Sequence, residues 1–301
     1  MVDGRYHNLD ALRIGVCIPK APARFWKQVV EGIRDRAAEY ESAGTLIWLM
    51  MRYDPLQDDT ERKIAFYEWL DQKNPQGLIV FPKGRATYLR EAAARVNTTV
   101  LGVRNVDLMD RCDYVGTDPD VEGKLAAQLL LDHHPGVKRI AILRPKNHFY
   151  DYTTAGRRWG FCDDLVRREL GIVFNDLFID FQSKVSAAMV ARSLSQLYRE
   201  APLDCVYCTE GYVDTLCQGL SKARRAQRSD GNSPFAETFC IGHEIPRNAQ
   251  AYIQAGLLAG CLSQDAYRYG RQALELTVKR CMGYRKTPQW EFIPPNVEWF
   301  L

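Results

Sequence analysis

No run of apolar residues in this sequence approaches the roughly 18 needed to cross a bilayer as a helix. The longest are fragments such as Leu46 to Met51 and Gly77 to Phe81, so a membrane span is excluded. An excess of one charge is lacking as well. Lys and Arg number 40 against 37 Asp and Glu, leaving +3 over 301 residues, too little to hold a nucleic-acid backbone by charge alone. Residues 1–10 have neither the apolar stretch nor the small-residue cleavage site of a secretory signal, and the expected compartment is the cytoplasm. Internal repeats and low-complexity segments are absent.

Motifs for chemistry are missing too. No G-x-G-x-x-G follows a strand, and neither G-x-S-x-G nor H-E-x-x-H occurs. The nearest approach to a phosphate loop, Gly116 to Lys124, places six residues between Gly116 and Gly123 where four are required, and Leu125 replaces the hydroxyl. We therefore expect no catalytic residue, no cofactor and no metal. Nine cysteines are an odd number, and several lie inside apolar runs, such as Cys17 and Cys240. That pattern predicts reduced, buried thiols. Cys205 and Cys208 form a C-x-x-C without a second ligand pair nearby, which favours two thiols on a core strand over zinc.

What is present is an ordinary globular mix, 46% apolar and 26% charged, at a length suited to two domains. Short apolar runs alternate with longer segments of helical period. Strands are expected at 13–19, 45–51, 77–81, 99–103, 114–116, 139–143, 177–181, 204–208, 238–241 and 260–263. Helices are expected at 24–40, 58–72, 86–95, 120–133, 153–169, 186–199, 212–225, 248–255 and 267–282. Strand followed by helix, repeated, means α/β: two doubly wound parallel-sheet subdomains, with ligands bound at the carboxyl ends of the strands. The basic end of one helix (Lys222, Arg224, Arg225, then Arg228 before the loop Ser229 to Pro234) reads first as a solvated face and second as a DNA contact.

The strand ends carry a particular residue set: Phe25 and Trp26, Arg104, Asp118, Arg157, Glu210, Glu244 and Gln264. Aromatic faces with bidentate carboxylates, amides and guanidinium groups suit a polyhydroxylated ligand, which makes this a binding inventory rather than a catalytic one. Plainer roles compete: helix–sheet core for Phe25 and Trp26, a helix N-cap for Asp118 ahead of Pro119, and a turn residue for Glu210.

At these residues the chain resembles the type I periplasmic-binding-protein superfamily, shared by bacterial solute-binding proteins and the effector domains of lactose-repressor (LacI) type regulators. Arg13-Ile14-Gly15-Val16 with Phe25-Trp26 and Gly32, Tyr114 to Asp118 with Gly123, and Arg139 to Leu143 followed by Arg157 to Phe161 carry the resemblance. So do Ile241 to Glu244, and Leu262 to Asp265 with Gly270. It implies subdomains 1–117 plus 266–283 and 118–265 plus 284–301, with a ligand cleft between them. A three-strand hinge is implied near Thr117 to Pro119, Gln264 to Ala266 and Gly283 to Pro288. Where the family has Asn-Asp this chain has Glu210-Gly211, and Glu244 replaces a shorter Asp, so ligand identity does not carry over. The resemblance implies a cytosolic, homodimeric effector-sensing domain for a small sugar-like ligand, with DNA bound only through a helix-turn-helix absent from this chain. The alternative is a solute-binding protein of an ABC-type sugar importer, and an enzyme comes third.

Overall fold

The computed structural model describes residues 11–19, 24–53, 60–82, 89–102, 108, 110–146, 152–181, 183–226, 235 and 237–300. The chain forms two compact units, Met1–Gly116 with Asp265–Ile293 and Thr117–Gln264 with Pro294–Leu301. It therefore passes from one to the other three times. Arg104 and the Ser229 to Pro234 loop lie outside the described residues.

The first unit holds β1 (Leu12–Cys17), β2 (Ile47–Arg52), β3 (Gly77–Val80), β4 (Asn97–Leu101), β5 (Asp113–Gly116) and β11 (Trp290–Phe292) in the order β11-β5-β4-β3-β1-β2. Every pairing is parallel, Ile14 lying between Leu49 and Gly77. Its helices are α1 (Arg24–Ser42), α2 (Thr60–Lys73), α3 (Leu89–Arg95) and α9 (Ala266–Cys281). The stripe read from sequence turns α1 inward, with Val29, Ile33 and Ala37 buried against the sheet.

The second unit repeats the scheme with β6 (Arg139–Pro145), β7 (Val173–Ile179), β8 (Cys205–Cys208), β9 (Phe239–His243), β10 (Leu258–Ser263) and β12 (Asn296–Trp299), ordered β12-β10-β9-β8-β6-β7. Helices α4 (Pro119–His133), α5 (Tyr152–Arg167), α6 (Ser186–Glu200), α7 (Val213–Ala226) and the short α8 (Ala249–Gln254) cover it. In both sheets the order reverses beside the first strand, between β1 and β3 and between β6 and β8. Such a reversal leaves a crevice at the carboxyl ends of the two strands.

Two features correct the sequence reading. The strands β11 and β12 were not expected, and β12 pairs antiparallel with β10. Residues 284–293 belong to the first unit rather than the second, so the third crossing falls at Ile293/Pro294, not near Gly283 to Pro288. Wholly buried Asp113 explains this. Its Oδ1 accepts the Gln289 backbone N–H (2.7 Å) and an Arg285 guanidinium N–H (3.0 Å), while Tyr114 N–H donates to the Gln289 carbonyl (3.0 Å). These bonds pin the segment to β5. The other two crossings lie at Gly116/Thr117 and Gln264/Asp265, one residue from the expected boundaries.

In each unit a helix pair is brought close by glycines. On α4 and α5, a Cβ at Gly123 would overlap the Arg157 carbonyl and one at Gly160 the Asp120 carbonyl. Gly32 and Gly270 play the same part between α1 and α9.

Arg224, read as solvated or DNA-facing, does neither. Its guanidinium donates to the carbonyls of Phe235 (2.8 Å), Thr238 (2.7 Å), Ala255 (2.9 Å) and Gly256 (2.8 Å), tying α7 to the chain around β9. All nine cysteines are free, and all but Cys162 and Cys281 are buried. Burial pushes the Cys112 and Cys208 thiols up to about 12, and those of Cys162 and Cys281 to about 11.

Two outcomes are expected. Gly160→Ala should lose about 1–3 kcal/mol in chemical denaturation, because the added methyl forces α4 and α5 apart. Gly136→Ala, where a Cβ meets nothing within 4 Å, should stay within about 0.5 kcal/mol of the parent. In a thiol-labelling time course on the native chain, at most Cys162 and Cys281 should react quickly. Fast modification of five or more would contradict the burial.

Candidate functional site

In the second unit every candidate site residue sits just beyond a strand or at the start of a helix. Asp118 caps α4. Its backbone is extended (φ −88°, ψ 112°), its Oδ1 accepts the Asp120 N–H at 3.1 Å, and Pro119 occupies the first helical position. The N-cap reading of Asp118 is thus what the geometry displays. Arg157 projects from the second turn of α5, beyond β6. Glu210, Glu244 and Gln264 follow β8, β9 and β10.

The sequence reading missed the residue that organises them. Glu122, in the first turn of α4, is 0% exposed, and Arg157 is 5% exposed. Arg157 Nε donates to Glu122 Oε2 (2.8 Å), and its Nη1 donates to the Thr209 carbonyl (2.9 Å). Gln264 Nε2 donates to Glu122 Oε1 and to Thr117 Oγ1, both at 3.3 Å. Thr209 Oγ1 in turn donates to the Leu143 carbonyl (3.1 Å). The pair therefore lies beside the β6/β8 reversal point. Burial penalises the Arg157 charge, but the Glu122 carboxylate more than offsets this and holds the guanidinium above its ordinary pKa.

Glu210 joins through Thr154, whose hydroxyl donates to Glu210 Oε1 at 2.6 Å. Glu244 has φ +67°, a left-handed conformation unusual for a side chain of this size. It is held there by its own N–H on the Leu262 carbonyl (2.8 Å) and by the Gln264 N–H donating to its Oε1 (3.2 Å). Two buried thiols brace the same turns, Cys208 donating to the Glu210 carbonyl (3.2 Å) and Cys261 to the Glu244 carbonyl (3.5 Å). Behind them the Tyr207 hydroxyl meets His243 Nε2 at 2.8 Å, and Phe161 stacks on Tyr207 with ring centroids 4.2 Å apart. Burial, then the Arg157 charge, lowers the His243 pKa and keeps the ring neutral.

In the first unit, Phe25 and Trp26 open α1 and pack partly buried against the core, as the plainer reading had it. They also form an aromatic group beside the β1/β3 reversal point. Trp26 lies edge-on to Phe81 (4.5 Å between centroids) and to Phe25 (5.0 Å), and Phe25 meets Tyr269 (5.9 Å). Among the described residues no group of His, Cys, Asp or Glu is arranged to hold a metal ion, and no helix is long and apolar enough to cross a membrane.

Burial raises the Glu244 carboxyl from 4.5 to about 7, although the Gln264 N–H and Arg157 pull it down. A carboxyl that binds its proton more tightly when folded contributes stability that is full below about pH 4.5 and is lost as pH rises to about 7. Glu244→Gln should remove that loss. The variant should gain on the parent by on the order of 1–3 kcal/mol between about pH 5 and pH 8. Parallel stability curves for the two chains across that window would contradict the assignment.

A family model described as periplasmic binding protein domain matches residues 14–284. A search among curated protein sequences finds no match. Among solved structures, a Bacteroides fragilis protein provisionally assigned as a LacI transcriptional regulator superposes with TM-score 0.77 at 14% identity, covering 96% of this chain and 97% of that one. GanP, a glucose-galactose binding protein from Geobacillus stearothermophilus, gives 0.74 at 16% identity over 96% and 98%. An ABC transporter solute-binding protein from Burkholderia graminis in complex with D-arabinose gives 0.73 at 14% over 96% of each chain. At these identities the likeness is one of fold, two α/β sheets of mostly parallel strands. Together with the family match over 14–284, it establishes that this chain belongs to the periplasmic binding protein domain family.

Proposed function

We propose that this chain is the small-molecule-sensing module of a LacI-type transcription regulator, cytoplasmic and homodimeric, with a polyhydroxylated, sugar-like effector and no catalytic role. One observation carries the binding reading: a satisfied but charged set, Glu122, Arg157 and Gln264 with Glu210 and Glu244 beside it, stands where a doubly wound sheet presents ligand groups. Planar charged and amide groups of this kind fork onto adjacent hydroxyls. Within the first unit, Phe25, Trp26 and Phe81 form an aromatic group of the kind that covers the C–H face of a sugar. The chain crossings at Gly116/Thr117, Gln264/Asp265 and Ile293/Pro294 are the proposed hinge through which ligand binding would be communicated to a DNA-binding head.

The nine free cysteines favour the regulator over the importer component, because a thiol-rich core suits a reducing compartment. The importer reading is favoured instead by the sugar-binding transport proteins that share the fold.

A thermal-shift screen of sugars, sugar acids, polyols and polyamines tests the binding reading. A ligand should raise the melting temperature of the parent chain by linkage. Arg157→Ala should weaken it about 10- to 150-fold, as expected for losing a charged hydrogen-bond partner worth roughly 1.5–3 kcal/mol. A ligand that stabilises parent, Arg157→Ala and Glu244→Gln equally would place the site elsewhere. Sedimentation at tens of micromolar separates the two roles, a dimer fitting the regulator and a clean monomer the importer component.

A further inference from the structure

We infer that the outward face of α5 is a self-association surface, on which a second copy of this chain docks helix to helix with Trp159 at the centre. The inference rests on the homodimer reading above and names the face that forms the contact. It comes from the side of α5 opposite the one that carries Arg157 inward.

Helix α5 turns Arg157, Phe161 and Leu165 into the unit, and a helix of this kind ordinarily leaves polar residues outside. On α5 the outward residues are apolar. Trp159 is 66% exposed, Val166 63% and Tyr152 43%, and exposed Ala155 and half-buried Cys162 lie on the same line. Positions 152, 155, 159, 162 and 166 step by three and four, the spacing of a helix that packs along a second helix. Helix α1 follows the first strand of its unit as α5 follows β6, yet its outward positions hold Lys27, Glu31, Arg34 and Asp35. The stripe on α5 is therefore not something the fold demands.

A second copy suits this stripe. The charges that border it are engaged within the chain: Arg158 forks onto Asp176 (2.7 and 2.6 Å), and Arg167 Nε donates to Asp163 (2.8 Å). The border thus selects for no partner of opposite charge. The largest ring stands in the middle, with the small side chains of Ala155 and Cys162 one step to either side. Under two-fold symmetry the middle of the stripe meets its own copy, and each Trp159 gains a ring and the space over small neighbours. Tyr152 and Trp159 leave about 250 Å² of side chain in water, the scale of patch that marks an interaction site. Doubled across the axis and widened by a rim, that area lies at the small end of specific interfaces, so the dimer should dissociate on dilution. Arg157 and Trp159 project from opposite sides of one helix, so the candidate site and the dimer contact share a single rigid element.

Sedimentation velocity of the full chain between about 1 and 100 µM tests this, and the parent should pass from monomer to dimer over that range. Trp159→Arg and Trp159→Glu, each matching the parent in circular dichroism and melting temperature, should weaken the dimer at least ~30-fold, as expected for a central tryptophan. Mixed in equal amounts the two should recover dimer, because position 159 faces itself across the axis and opposite charges then meet. If either change disturbs folding, Val166→Arg, one heptad along the stripe, takes its place with a loss of at least ~10-fold. Trp48→Arg, at a 59% exposed tryptophan on β2 of the other unit, should leave the dimer within about threefold. A dimer that survives the α5 changes, or that breaks only on Trp48→Arg, overturns the inference and leaves the homodimer reading standing, with the α5 face open to a different protein. Loss in the single variants with no recovery on mixing overturns the two-fold contact at Trp159. A parent that stays monomeric up to about 100 µM overturns this inference and the homodimer reading together.

Discussion

The ion pair between Glu122 and Arg157 is the constraint on which the rest of the second unit depends. Withdrawing two charges from water costs several kcal/mol per ion. The cost is offset only when the geometry is good and the remaining hydrogen-bonding positions are filled. Here they are filled from three directions: Gln264 from the end of β10, the Thr209 carbonyl from the end of β8, and the two helices that carry the pair. The helices must run close enough for short side-chain reach, and Gly123 and Gly160 allow it by removing the Cβ atoms that would hold the backbones apart. A packing device in the sequence and an electrostatic device in the site are thus one arrangement. Deleting either charge would strand the other in the interior, an effect on the order of 3–5 kcal/mol.

From this pair outward, the work is divided between buried elements that hold the turns and the half-buried turn residues they hold. The thiols of Cys208 and Cys261 bond the carbonyls of Glu210 and Glu244, so cysteines legible only as core residues also fix the backbone of two candidate ligand contacts. Arg224 serves in the same way at the opposite end of β9, its donors spread over four carbonyls. Both cases turn a residue with chemical potential into scaffolding. Burial supports that role by holding the thiols protonated.

Much of the fold could be read from pattern, because parallel strands buried on both faces must be continuous apolar runs separated by helices of regular period. The ten strands from Arg13 onward and their helices follow that logic. β11 and β12 escaped it. They are three and four residues long, lie at the last part of the chain among Pro288, Pro294 and Pro295, and contain no buried residue, so their sequences carry no buried run to recognise. Asp113 fixes the place of β11, and no local pattern announces that a single carboxylate will capture a segment more than 170 residues away. Glu122 was hidden for a different reason. An acidic residue in the first turn of a helix is already explained by the helix dipole, so its sequence position gives no hint of a buried partner on another helix.

Glu244 gathers these constraints at one residue. Its left-handed backbone is costly for any side chain with a Cβ, and a strained conformation persists only where its surroundings over-determine it. The surroundings do so through Leu262, Gln264 and Cys261, all from β10 or its end. Glycine at this position would relieve the strain but would bring no carboxyl to the turn. Packing alone does not favour glutamate there, since burial raises its carboxyl to about 7 and makes its ionised form costly. A residue that is unfavourable both in backbone and in ionisation is stabilised by neither of its own terms in the folded state, and the turn keeps its shape only through the bonds that Leu262, Gln264 and Cys261 make to it.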